Sequence, residues 1–328
     1  MEKKEYLWAV VGCGVIANEF AQAMEKEGRR IYAVASRRKE KAEAFAEKYG
    51  VLHVYEDIYA MLQDPEVDIV YVATPHNTHF PYVKAALEAG KHVLCEKAIM
   101  LNSEQLQEVT KLAEENHLIL AEAMTIYHQP LYEKLDEIIN GGQLGDVRMI
   151  TTNFGSYKDY DMSNRFFNPD LAGGALLDIG VYALSFTRFF LKSGKTSICS
   201  QVKKAPSGVD EQVGILLTNE EGQMATVALT LHSKQPKRGM ISCDKGFVEI
   251  MNYPRAMEAV ITDTQTGERQ VIREGDTEYA LVYEIRHMEE AIAQGKDSTS
   301  MYLPYSTEVM DIMTQIRREW DVVYPEEK

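Results

Sequence analysis

At 328 residues the chain is long enough for two domains of ordinary size, each with its own core. A formal charge of −15 argues against a nucleic-acid or anionic-membrane surface, and no run of eighteen or more apolar residues could span a bilayer. A phosphate-bearing ligand must therefore be held by a local set of donors, against the global field.

The cysteines Cys13, Cys95, Cys199 and Cys243 are scattered without a C-x-x-C pair and read as small buried hydrophobes. That usage fits the reducing cytoplasm. Lys3-Lys4 followed by residues 7–17 has the outline of an export signal. Gly12 and Gly14 interrupt its apolar run, and a strand–loop–helix reading accounts for the same residues.

Residues 6–11 read as a buried strand, and residues 16–27 carry helical spacing. Between them lies Gly12-Cys13-Gly14-Val15-Ile16-Ala17, a dinucleotide loop in the strand-to-helix context that makes the pattern meaningful. Gly12 permits the tight turn, Gly14 lets the backbone approach a pyrophosphate, and Ala17 allows close helix–sheet packing. The next strand, 31–35, leads into Ser36-Arg37-Arg38. An NAD-specific fold usually carries an acidic residue here to bind the ribose hydroxyls. Neutral Ser36 does not repel a 2′-phosphate, and Arg37 and Arg38 can bind one with paired charge-assisted bonds. NADP is favoured over NAD.

Helical spacing follows over 39–49 and 55–63, then a strand at 69–73. The segment Thr74-Pro75-His76-Asn77-Thr78-His79 begins at that strand's carboxyl end and reads as a nicotinamide-lining loop. As a metal site it lacks a third ligand nearby, and Pro75 keeps its start non-helical. No metal is expected. A helix over 79–89 stops near Gly90, and a strand over 92–95 ends at Glu96-Lys97. A helix over 103–116, with Ser103 read as its capped start, and a strand over 118–121 complete the first half. Alternating strands and helices predict a doubly wound parallel sheet, a Rossmann domain over residues 1–122.

The pattern changes in residues 123–328, the expected substrate-binding and oligomerisation domain. A helix over 131–139, a strand over 147–154 and a long helix over 175–191 precede strands at 197–203, 212–217, 223–232, 239–242, 247–251, 256–262 and 270–273. Helices over 279–294 and 305–319 follow, the second expected to pack back on the first domain. This predicts an α+β domain with a large, mostly antiparallel, open-faced sheet. Ile215, Leu217, Val227, Leu229 and Leu231 are the apolar positions expected on the open face. Burying that face against another copy predicts a homodimer or higher homo-oligomer.

The chemistry is read from Lys97, Asp178 and Tyr182. Asp178 and Tyr182 are four apart on a predicted helix, so their side chains share a face. A free tyrosine has a pKa near 10, too high for a general base near neutrality; lowering it by about two units requires roughly 2.7 kcal/mol. An ammonium about 4 Å away in a partly buried site can supply on the order of 4 kcal/mol. Lys97 is expected to meet Tyr182 and hold it poised for proton transfer while hydride moves to or from nicotinamide. Asp178 opposes a phenolate electrostatically, so its expected role is to orient Lys97 or a substrate hydroxyl.

These residues resemble the Gfo/Idh/MocA family of NAD(P)-dependent oxidoreductases, the relatives of glucose–fructose oxidoreductase and inositol dehydrogenase. The likeness rests on the glycine loop, Ala73–His79, Val93–Lys97, Glu122-Ala-Met124, Gly173–Tyr182 and the closing segment Val323–Lys328. Taken together, the last four are most similar to the dihydrodiol dehydrogenase and NADP-linked D-xylose dehydrogenase branch. The resemblance implies a dehydrogenase acting on CH–OH groups, with Lys97 and Tyr182 as the catalytic pair and the tyrosine standing where many relatives have histidine. It also implies a dimer made by the second domain's open sheet. Glu96 and Glu122 join the cofactor set, and Met124, Tyr127 and Phe154 are candidates for the substrate pocket.

Two positions depart from the family pattern. Ala98 follows Lys97 where relatives usually have proline, which leaves a non-catalytic NADP-binding regulator as the alternative reading. Thr125-Ile-Tyr127-His128-Gln129 replaces the branch's usual Trp-Thr-Arg-Phe-Phe. That change moves the expected substrate from an aromatic diol towards a polyhydroxylated or carbonyl compound such as a sugar.

Overall fold

The computed structural model describes residues 5–192 and 196–328; Lys3 and Lys4 of the signal-like stretch lie outside the described residues. The chain forms two compact units, Met1–Ala123 with Leu281–Thr307, and Met124–Ala280 with Glu308–Lys328.

In the first unit, β1 (Trp8–Val11), β2 (Ala33–Ala35), β3 (His53–Tyr55), β4 (Ile69–Val72), β5 (His92–Glu96) and β6 (Leu120–Ala123) form a parallel sheet in the order β3-β2-β1-β4-β5-β6. Helices α1 (Val15–Lys26), α2 (Lys39–Tyr49), α3 (Ile58–Leu62), α4 (His79–Glu88) and α5 (Ser103–Glu115) connect the strands. Strands buried on both faces need continuous apolar runs, and β1 and β4 are buried at every position. Trp8 packs on Phe20, which stacks on Tyr71 with ring centroids 4.0 Å apart. Helix α8 (Ala280–Ala293) brings Glu289 beneath this core, where it accepts from Trp8 Nε1 at 2.9 Å and pairs with Arg29.

Two local readings are corrected. The edge strand β3 has no counterpart among the expected strands: His53 and Val54 are exposed, so it carries no buried apolar run. The cap of α5 is Asn102 rather than Ser103, its side chain accepting from Gln105 N at 2.9 Å.

The second unit contains α6 (Pro130–Asn140), α7 (Val181–Phe190) and an eight-stranded sheet. Its strands are β7 (Val147–Gly155), β8 (Thr196–Lys204), β9 (Asp210–Asn219), β10 (Met224–Thr230), β11 (Gln235–Cys243), β12 (Gly246–Met251), β13 (Glu258–Asp263) and β14 (Arg269–Arg273). Their order is β14-β13-β12-β11-β7-β10-β9-β8, antiparallel except where β7 runs parallel to β10. The last helix, α9, spans Leu303–Glu319.

Side chains alternate across this sheet, and the alternation overturns one expectation. Ile215, Leu217, Val227, Leu229 and Leu231 are buried within the chain. Leu229 lies on the helix-covered face, where its Cδ1 would be 2.8 Å from a Cβ placed on Gly180. The open face instead carries the alternate positions, among them Met149, Leu216, Met224, Ala228 and Val271. One step of register exchanges the two faces, and only the position of the covering helix decides which is buried. Cys199 is likewise exposed rather than buried.

Candidate active site

The parallel sheet sets three loops side by side at the carboxyl ends of β1, β2 and β4. Gly12 adopts φ +99°, and a Cβ there would lie 2.6 Å from the Ala73 carbonyl oxygen, so the turn requires glycine. Its amide donates to Ala35 O at 2.9 Å. Gly14 caps α1 through its backbone alone, and a Cβ there would meet nothing closer than 4.0 Å. The loop thus leaves room above the start of α1, where free amide hydrogens attract a phosphate.

Gly12, Cys13, Gly14, Ser36, Arg37, Arg38, Thr74 and Pro75 all line one cavity of about 160 Å³. Lys41, in the first turn of α2, lines it too and was missed in the sequence. It stands three residues past Arg38, the helical spacing that would have revealed it. Burial pushes the Cys13 thiol up to about 11, although the Ser36 hydroxyl and the Lys41 charge pull it down, so the thiol is a packing group. Val15 is largely exposed and Ile16 half-buried in the first turn of α1.

The Lys97 loop is held by side chains around it. The Lys97 amide donates to Glu96 Oε2 at 3.2 Å, and Glu96 also accepts from the Tyr71 hydroxyl. His76 Nε2 faces Lys97 O at 3.1 Å. His79 is fully buried, with Nδ1 facing Ala98 O at 3.0 Å and Ile99 O at 3.2 Å, and Nε2 facing Thr74 O at 2.8 Å. Glu122 accepts from Ile99 N at 3.0 Å and Ser306 Oγ at 2.6 Å. Burial and then neighbouring Glu96 push its carboxyl up to about 7, against those two donors and the Lys97 charge. The Lys97–Ala98 peptide is cis. Asn77 is half-buried between the two histidines. His76, His79, Glu96, Glu122 and Lys97 therefore form one hydrogen-bonded assembly, in which His79 ties the 74–79 loop to the lysine loop.

In the second unit, residues Leu176–Gly180 form a π-helical turn that runs directly into α7. Such turns are frequent at functional sites. Asp178 lies in that turn, buried, with Oδ1 3.4 Å from Arg165 Nη2. Tyr182, half-buried, lies one turn on, with the Phe154 ring 6.2 Å from its own. Lys237 Nζ sits 4.8 Å over the same Phe154 ring. Met124 and Tyr127 are buried, Tyr127 stacking on Phe189. Arg165 and Tyr253 escaped the sequence reading because neither lies in a patterned element: Arg165 is in the irregular stretch before Gly173, and Tyr253 is in the short turn Tyr253–Arg255 that follows β12. Burial, with Tyr182 nearby, pushes the Tyr253 phenol well up.

Comparison with known proteins bears on this arrangement. Residues 6–124 match the model described as an oxidoreductase family with an NAD-binding Rossmann fold, and residues 132–249 match the GFO/IDH/MocA C-terminal domain. The chain is 29% identical to mouse trans-1,2-dihydrobenzene-1,2-diol dehydrogenase over 98% of both chains. Identity to the human protein of that name is 28%, again over 98% of each. Among solved structures, a 3-ketoreductase from Actinomadura kijaniata in complex with NADP and TDP-benzene superposes with a TM-score of 0.86 at 24% identity, covering 96% of this chain and 98% of that one. A levoglucosan dehydrogenase in complex with NADH and levoglucosan gives a TM-score of 0.86 at 18% identity, covering 97% and 98%.

Proposed function

Because the chain belongs to the Gfo/Idh/MocA oxidoreductases, we propose that it is an NADP-dependent dehydrogenase or reductase acting on a secondary alcohol or carbonyl of a sugar, diol or related polyol. The observation that carries the cofactor choice is the cavity where Arg37, Arg38 and Lys41 stand with neutral Ser36 beside the glycine loop. Three cations and no carboxylate on that wall suit a 2′-phosphate, which an acidic residue would repel. Gly12 and Gly14 supply the close backbone approach for the pyrophosphate.

The bound nicotinamide supplies the carbon that gives or takes the hydride. Tyr182 exchanges the proton with the substrate oxygen, and the Lys97 ammonium stabilises the phenolate. Asp178, facing Arg165, orients the polar groups around it. The backbone anchoring of residues 97–99 by His76, His79, Glu96 and Glu122 supports a fixed role for Lys97. The name of the mouse relative supports a diol, that of the 3-ketoreductase a carbonyl, and that of levoglucosan dehydrogenase a levoglucosan-like polyol as substrate. The altered segment 125–129 favours the sugar.

Incubating the protein with NADP and a panel of aldoses, inositols and trans-diols should raise the absorbance of reduced nicotinamide with at least one polyol, faster than with NAD. Intact NADP binding without reduction by any member of the panel would overturn the enzymatic reading. Met149, Leu216 and Met224, exposed on the open sheet face, support a homodimer or higher oligomer closed through that face. A monomer in sedimentation velocity overturns that assembly.

A further inference from the structure

The pair Asp178 and Tyr182 depends on where the π turn and α7 begin, and the start of that turn is gripped by residues far away in sequence. Gly174 has φ +129°, and a Cβ there would lie 2.2 Å from Asp210 Oδ1. A Cβ on Gly173 would lie 2.8 Å from Arg165 O. Both glycines are therefore seated against their surroundings, with no space for the backbone to slide. Asp210 is fully buried and accepts from Leu176 N at 2.6 Å, so a carboxyl group meets the open amides of the turn.

The other side of the grip comes from Tyr324. Its hydroxyl donates to Gly173 O at 2.7 Å, and its ring is fully buried under the Arg317 guanidinium at 4.7 Å. Arg317 makes two parallel bonds to Glu327, at 2.8 and 2.7 Å, and Glu327 accepts from Tyr324 N at 2.9 Å. Bidentate pairing of this kind fixes direction as well as distance. The segment Tyr324–Glu327 is thus locked to α9 and, through one phenol, to the carbonyl that precedes the π turn.

We propose that Tyr324, held by Arg317 and Glu327, is a positioning residue: with Asp210 it sets the height of the π turn, and so the presentation of Asp178 and Tyr182. This inference rests on the reading of Tyr182 as the proton-exchanging group. Rate depends steeply on such placement, since a displacement of about 1 Å can cost on the order of 100-fold.

Tyr324→Phe removes a single hydroxyl and keeps the buried ring. With the polyol found active, kcat should fall about 10-fold or more, while the Kd for NADP stays unchanged. Glu327→Gln, which breaks the bidentate pair, should act in the same direction. Amide hydrogen exchange supplies a readout that needs no turnover: exchange over residues 173–182 should quicken at least several-fold in Tyr324→Phe, with peptides of β1 and α1 unaffected. Unchanged exchange over 173–182 overturns the inference, whether or not the wild type proves active. Quickened exchange with an unchanged kcat overturns it as well. Failure of every substrate with the wild type would instead count against the proposed function, leaving the exchange result to decide the role of Tyr324.

Discussion

Replacing Tyr182 by phenylalanine is expected to lower kcat by about 100- to 10,000-fold, the range that a positioned acid or base contributes. The ring would remain beside Phe154, whose centroid is 6.2 Å away, so packing in the second unit should be preserved. Binding of NADP, assigned to the glycine loop and the arginine cavity, should not change. Stopped-flow and steady-state rates with the best polyol, set against the NADP Kd from titration calorimetry, provide the check. A Tyr182→Phe variant that retains full kcat would remove the phenol from the mechanism. Lys97→Met should follow it, because the ammonium is the group asked to make a phenolate accessible near neutrality.

Arg37→Ala should weaken NADP by about 30-fold while changing NAD by less than about 3-fold. Charge-assisted bonds from the guanidinium to a phosphate contribute roughly 2 kcal/mol, which corresponds to that ratio. Lys41→Ala should act in the same direction with a smaller effect, since an ammonium makes no bidentate contact. The discriminating ligands are 2′-phosphorylated and unphosphorylated adenosine nucleotides, which isolate the contact from the nicotinamide half. Equal losses for NADP and NAD would place Arg37 elsewhere than at the 2′-phosphate. Because the contact with the 2′-phosphate is between charges, the preference for NADP over NAD should narrow with added salt.

Much of the first unit is legible in the sequence because its signals are local. The buried strands are continuous apolar runs, and Gly12 and Gly14 interrupt them where a turn and an open helix start are needed. The edge strand β3 escapes for the same reason in reverse: its exposed residues leave no pattern to read. In the candidate site, Ser36, Arg37 and Arg38 follow a strand directly and are found from position alone. His79 is visible as a residue, but its contacts with three carbonyls belong to two loops and appear only in the folded chain.

What the sequence by itself determined is therefore the alternation of strands and helices, the glycine loop, the cations after β2, and the helical spacing of Asp178 and Tyr182. Each follows from dihedral preference, burial period or residue chemistry within a few positions. Tertiary structure alone decided which face of the eight-stranded sheet is covered, since a period of two offers both faces equally until α7 lies on one. It also decided that Leu281–Thr307 joins the first unit, and that Asp210, Arg317 and Tyr324 converge on Gly173 and Gly174. Contacts between residues 34 positions apart, as for Asp210 and Leu176, or 151 apart, as for Tyr324 and Gly173, arise from packing the whole chain, and no local pattern records them.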